Sequence, residues 1–136
     1  MKRKLSLTLS LIMLLLAILP TYIFAYDVSL YNNHTATTAT SFIISDSGEA
    51  IVTYEFEGYK GITAGAVMSI KIEKRNLLFF WNEIVDDCFV VAGESGMGCR
   101  DYQLTSKGTY RCTVTYRVSG TTGVDDLITF EDTKTY

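Results

Sequence analysis

Between residues 49 and 58 the chain alternates strictly. Ala50, Val52, Tyr54 and Phe56 take every second place, with Ile51, Thr53, Glu55 and Glu57 between them. A period of two puts one set on each face of a pleated strand. The same pattern recurs at 66–74, where Ala66, Met68, Ile70 and Ile72 point inward and Ser69, Lys71 and Glu73 outward. It recurs again at 109–118, where Tyr110, Cys112, Val114, Tyr116 and Val118 alternate with Thr109, Arg111, Thr113, Thr115 and Arg117. Shorter runs predict strands at 40–45 (Phe42 and Ile44 inward), 99–104 and 127–133 (Ile128 and Phe130 inward). The run at 77–85 begins "LLFFW" and is apolar on both faces, which predicts a central strand covered on both sides. A short further strand falls at 88–91. Turn signals separate these runs: "SDSG" at 45–48, "GYKG" at 58–61, "GESGMG" at 93–98, "TSKG" at 105–108 and "SGTTGVDD" at 119–126. Residues 26–40, with "NNHTATTAT", read as a Thr-rich leader or an edge strand.

Seven or eight short strands with turns every 8–12 residues predict an all-β chain, an antiparallel sandwich at residues 41–136. A closed barrel has the same periodicity and stays open as the structural alternative. Helical periodicity is absent after residue 25. The only Pro is Pro20, and Thr, Tyr, Val and Ile are abundant, as a pleated, half-buried surface requires.

The first residues have a different character. Lys2, Arg3 and Lys4 precede an apolar run from Leu5 to Leu19, Pro20 ends it, and Ala25 offers a small residue for cleavage. That is the three-part pattern of a secretory signal peptide at residues 1–25, its apolar part short for a spanning helix. An uncleaved anchor is the alternative. Cleavage after Ala25 leaves residues 26–136, one domain large enough to bury a core. It also leaves nine basic against 15 acidic side chains, a net charge of −6. An acidic chain with scattered bases has no footprint for nucleic acid. The net charge also argues against tight adsorption to anionic lipid, so a membrane is expected only through the signal segment if it is retained. The predicted location is extracellular, secreted or held at the cell surface.

"LTSKGTYRC" resembles the start of strand F in immunoglobulin domains, on Leu104, Gly108, Tyr110 and Cys112. There the Tyr hydroxyl caps a corner by bonding backbone a few residues upstream, and a Gly permits the turn. Ser106 stands where the family carries an acidic corner residue. The partner Cys of that family is missing from 49–57, and its Trp from 66–74, so Cys112 reads as a small buried hydrophobe. The longer pieces Ala50 to Gly61, Gly65 to Lys74, Leu78 to Trp81, Ser106 to Gly123 and Asp126 to Glu131 resemble small exported proteins of Gram-positive bacteria without an assigned function. That resemblance implies an exported immunoglobulin-like sandwich and transfers no site residues.

Three cysteines leave one odd. For an exported chain the expected pairing is Cys88 with Cys99 around "GESGMG"; three unpaired thiols are the alternative. His34 is the sole histidine. With no second His and no Cys cluster, the sequence predicts no metal site, no cofactor and no catalytic residue. Asp86-Asp87 and Asp125-Asp126 read as solvated turn residues. The alternative reading of "LLFFW" is an exposed aromatic face, with Phe80 or Trp81 stacking on sugar rings or anchoring a protein. Glu94 lies in the other candidate loop. The expected function is a non-enzymatic binding module for a protein or glycan at the cell surface. A structural subunit of an extracellular assembly is the alternative, and a secreted hydrolase, lacking a nameable base and nucleophile, the weakest reading.

Overall fold

The computed structural model describes residues 32–136. The expected signal segment, 1–25, lies outside the described residues. Seven strands follow in order: β1 Thr35–Ile44, β2 Glu49–Gly58, β3 Thr63–Arg75, β4 Trp81–Ala92, β5 Ser95–Gln103, β6 Thr109–Gly120 and β7 Asp126–Thr135. They form two antiparallel sheets, one of three strands in the order β1-β2-β5 and one of four in the order β4-β3-β6-β7. The described chain is therefore an all-β sandwich rather than a closed barrel.

The alternating sets become the core. Phe42, Ala50, Val52 and Phe56 from the three-stranded sheet are buried against Met68, Ile70, Ile72, Tyr110, Cys112, Val114, Tyr116 and Val118 from the four-stranded one. Burial of such side chains contributes about 1.5–3 kcal/mol each for the larger aliphatics and Phe, which makes this layer the main source of stability. Polar contacts tie the sheets together at their margins. The Tyr116 hydroxyl donates to the Ala39 carbonyl at 3.0 Å and meets the Thr40 hydroxyl. The Tyr102 hydroxyl donates to Asp87 Oδ2 at 2.8 Å. Burial, then this bond to a carboxylate, pushes the Tyr102 hydroxyl well above its ordinary value.

The expected corner is present. Tyr110 is buried and its hydroxyl donates to the Ser106 carbonyl. Gly108 and Tyr136 exchange two backbone hydrogen bonds, of 3.1 and 2.9 Å, closing the same corner against the chain end.

Several expected elements are redrawn. The runs at 77–85 and 88–91 are not two strands: β4 is one strand that begins at Trp81. Its register shifts opposite Ile72 and Glu73, so that Ile72 pairs with Val85 and Glu73 with Glu83. This bulge at Ile84 breaks the alternation that the sequence would otherwise show. Beyond it Val85, Asp87, Phe89 and Val91 face inward. "GESGMG" is mostly strand, because β5 starts at Ser95 and only Gly93 and Glu94 bridge the sheets. The Thr-rich stretch from Thr35 is the outer half of edge strand β1, paired with β2.

Candidate functional site

The β3–β4 connection carries the most exposed apolar surface. β3 ends at Arg75, which pairs with Trp81, and five residues close the hairpin between them. Asn76 organises this turn. Its backbone N–H donates to the Phe80 carbonyl at 2.8 Å, and its carbonyl accepts from Phe79 N–H at 3.0 Å. Its side-chain oxygen accepts from the N–H groups of Leu78 at 2.9 Å and Phe80 at 3.0 Å. An Asn side chain that bonds backbone two and four residues on replaces the next strand partners. Phe79 adopts φ of 66°, a left-handed conformation that a bulky residue holds only when its surroundings demand it.

With the turn braced by these Asn76 bonds, the side chains of residues 77–80 are left exposed. Leu77 is 98% exposed, Leu78 73%, Phe79 71% and Phe80 66%. The expectation that "LLFFW" forms a central strand covered on both faces is thus overturned for residues 77–80. Four consecutive apolar residues form a protruding tip. Trp81, next in sequence, is half-buried: the Arg111 guanidinium lies 4.5 Å from its ring centroid. Arg111 in turn donates twice to Glu73 Oε2, at 2.9 and 2.6 Å.

Cations surround the tip. The Arg75 guanidinium sits 4.6 Å from the Phe79 ring. Beside it is a cleft that Asn76 and Leu77 of the tip line together with Lys74, Arg75, Ile84 and Lys107, with no acidic side chain among its lining residues. Lys74 Nζ donates to the Ser106 hydroxyl at 2.6 Å. Among the described residues Lys74, Arg75 and Lys107 form no ion pair, whereas Lys71, Arg100, Arg111 and Lys134 each lie against a carboxylate.

Glu94, the second candidate, is exposed and bonded to the neighbouring β2–β3 connection. Its side chain accepts from Gly61 N–H and its carbonyl from Gly58 N–H at 2.8 Å. These bonds join the β2–β3 connection to the β4–β5 crossing.

The cysteines do not pair. Cys88 stands opposite Ser69 on the outer face of the four-stranded sheet, and Cys99 opposite Thr53 on the outer face of the three-stranded one. Both are exposed and free. Side chains on opposite outer faces of a sandwich cannot approach to the few ångströms that a disulfide needs, so the expected Cys88–Cys99 bridge is absent. Cys112 is buried, and burial pushes its thiol up to about 12, with Asp132 nearby adding to the rise.

The acidic pairs are also placed differently from expectation. Asp86 and Asp87 lie within β4, and Asp126 is buried at the start of β7. The Asp126 carboxylate accepts from Asn33 N–H at 2.8 Å, His34 N–H at 2.8 Å and the Thr35 hydroxyl at 2.9 Å. His34 is itself 1% exposed. Its Nε2 lies 2.6 Å from the Thr122 carbonyl oxygen, which can only accept, so Nε2 carries the hydrogen. Its Nδ1 has no hydrogen bond and lies 4.0 Å from Asp126 Oδ1. Sequence reasoning missed this lock, in which a lone histidine and a loop carboxylate fasten the start of β1 to β7. Among the described residues no group of three or more His, Cys, Asp and Glu side chains converges as a metal site would require.

The chain matches no family model, no curated protein and no solved structure.

Proposed function

We propose that this chain is an exported, non-enzymatic binding module of immunoglobulin-like type, working outside the cell or at its surface through the β3–β4 tip. The immunoglobulin-like assignment is supported by the strand order β1-β2-β5 against β4-β3-β6-β7 and by the Tyr110 corner on Ser106. Export is supported by the cationic, apolar and small-residue pattern of residues 1–25. The single observation that carries the binding reading is the tip itself: four consecutive apolar side chains, each at least 66% exposed, on a turn whose backbone is internally bonded. Contiguous exposed apolar surface on a folded domain marks an interaction site.

The test is retention on cell envelopes. The full chain and its Leu78→Ser/Phe80→Ser variant are mixed with washed envelopes and sedimented. The intact chain is expected to sediment and the variant to stay in solution with an unchanged melting temperature. Equal retention of the two chains sinks the reading.

A further inference from the structure

We infer that the β3–β4 tip is an insertion loop for a lipid bilayer bearing anionic headgroups; this rests on the binding-module reading and names its partner. The geometry has two parts that such a surface needs. Leu77, Leu78, Phe79 and Phe80 protrude as a run of four exposed apolar side chains. Directly behind them Lys74, Arg75 and Lys107 line a cleft with no acidic side chain among its lining residues. Apolar side chains buried below the headgroups, with bases held at the headgroup level, are the arrangement of interfacial membrane binding. The Arg75 guanidinium, stacked on the Phe79 ring, already holds a cation beside an inserting side chain.

Net charge does not oppose this. The acidic excess averages over the whole surface, while attraction to a charged bilayer falls off within a Debye length of about 8–10 Å. What a bilayer meets is therefore the end of the molecule that touches it. There Lys74, Arg75 and Lys107 lack carboxylate partners among the described residues, and Glu73, Glu83 and Asp132 are paired with Arg111, Lys71 and Lys134. Asp46 and Glu49 stand at the same end, across Gly48 and Tyr136 in the β1–β2 turn.

Trp81, the sole tryptophan, adjoins the tip and reports on it directly. The full chain is titrated with vesicles of phosphatidylcholine alone, and with vesicles of equal parts phosphatidylcholine and phosphatidylglycerol. Each composition is prepared with and without bromine on the acyl chains. Mixed vesicles are expected to shift Trp81 emission to the blue, with bromine quenching it, and added salt to reverse both. Phosphatidylcholine alone is expected to do neither. Each base near an anionic surface strengthens binding about fivefold, so Lys74→Gln/Arg75→Gln/Lys107→Gln is expected to weaken it on the order of a hundredfold. Leu78→Ser/Phe80→Ser is expected to weaken it roughly a hundredfold or more, from the lost apolar area. Adsorption through residues 5–19 adds equally to every variant, so it is measured as the binding left in a chain carrying all five substitutions and subtracted before the ratios are taken.

Quenching that is equal for the two compositions, or unchanged in either variant, overturns the proposal. If vesicles leave Trp81 unchanged while Leu78→Ser/Phe80→Ser abolishes envelope retention or a concentration-dependent dimer, the tip binds protein. The bilayer assignment then falls and the binding-module reading stands. A double variant indistinguishable from the intact chain with vesicles, envelopes and in dimerisation overturns both.

Discussion

Asp126→Asn tests whether the end of the sandwich is held by one carboxylate. The carboxylate receives bonds from Asn33 N–H, His34 N–H and the Thr35 hydroxyl at 2.8–2.9 Å, and Asp126 is 6% exposed. Hydrogen bonds to a charged group contribute about 1.5–3 kcal/mol each, and a buried donor left bare costs about 1–3 kcal/mol. An amide keeps one acceptor oxygen but turns its N–H₂ toward a donor. Asp126→Asn is therefore expected to cost about 2–3 kcal/mol, and Asp126→Ala, which removes every acceptor, about 3–5 kcal/mol. The acid dependence sharpens the test. Burial pushes the Asp126 carboxyl up, but the combined bonds from His34, Asn33 and Thr35 outweigh it and hold the group below its ordinary 3.8. A carboxyl depressed in the folded state stabilises it above the unfolded value, and that stabilisation is lost as pH falls through the folded value. Asn does not titrate. The stability gap between the chains should thus be full at neutral pH and narrower at an acidic pH where the folded carboxyl is protonated. Urea unfolding followed by far-ultraviolet circular dichroism at both pH values measures it. A gap below about 0.5 kcal/mol near neutrality, within the range of an ordinary surface change, refutes the lock. So does a gap of the same size in acid.

Native protein should show two thiols that react with an aromatic disulfide reagent, Cys88 and Cys99. Cys112 should react only in denaturant, because a thiol held near 12 is ionised only to the order of 10⁻⁴ at about pH 8; one reactive thiol under denaturing conditions would instead restore the bridge. Tyr110→Phe removes the hydroxyl bonded to Ser106 and should lower stability by about 1 kcal/mol in urea unfolding. Gly120→Ala should cost about 2–3 kcal/mol. Its new methyl would lie 2.1 Å from His34 Cδ2 and 2.6 Å from the Ile62 carbonyl oxygen, and a backbone atom cannot swing aside. A melting temperature within a degree of the parent's would show that His34 gives way freely.

The inner faces of β2, β3 and β6 were legible because burial on one face and solvent on the other leave a period of two in the residues themselves. Val52, Ile70 and Val114 sit where alternation puts them. The tip was misread because an apolar run looks the same whether two layers cover it or none does. The available signal was Asn76 at its head, a turn-forming residue directly after the charged pair Lys74-Arg75. β5 was hidden by its glycines. Gly98 lies under Tyr54, where a Cβ would fall 2.5 Å from the hydroxyl, and Gly96 lies against Val91 and Phe56. Such a glycine marks close approach rather than a loop, yet the approaching side chains are far away in sequence. The His34–Asp126 lock was illegible for the same reason: its partners are 92 residues apart. The cysteine pairing failed because nearness in sequence carries no information about which outer face a residue meets after the chain changes sheets at Gly93 and Glu94.

The strand order also sets how the chain must fold. β1–β2, β3–β4 and β6–β7 are neighbours in sequence and can form as local hairpins, whereas β2–β5 and β3–β6 join strands distant in sequence. Closing those two seams costs chain entropy before any contact repays it, which places a sandwich of this topology in the millisecond-to-second range of folding times. Ile70, Val114 and Val52 lie in those seams. The side chains of Leu77 to Phe80 lie outside both, so the tip can be rewritten for a different partner without reopening the route by which the rest of the chain finds its fold.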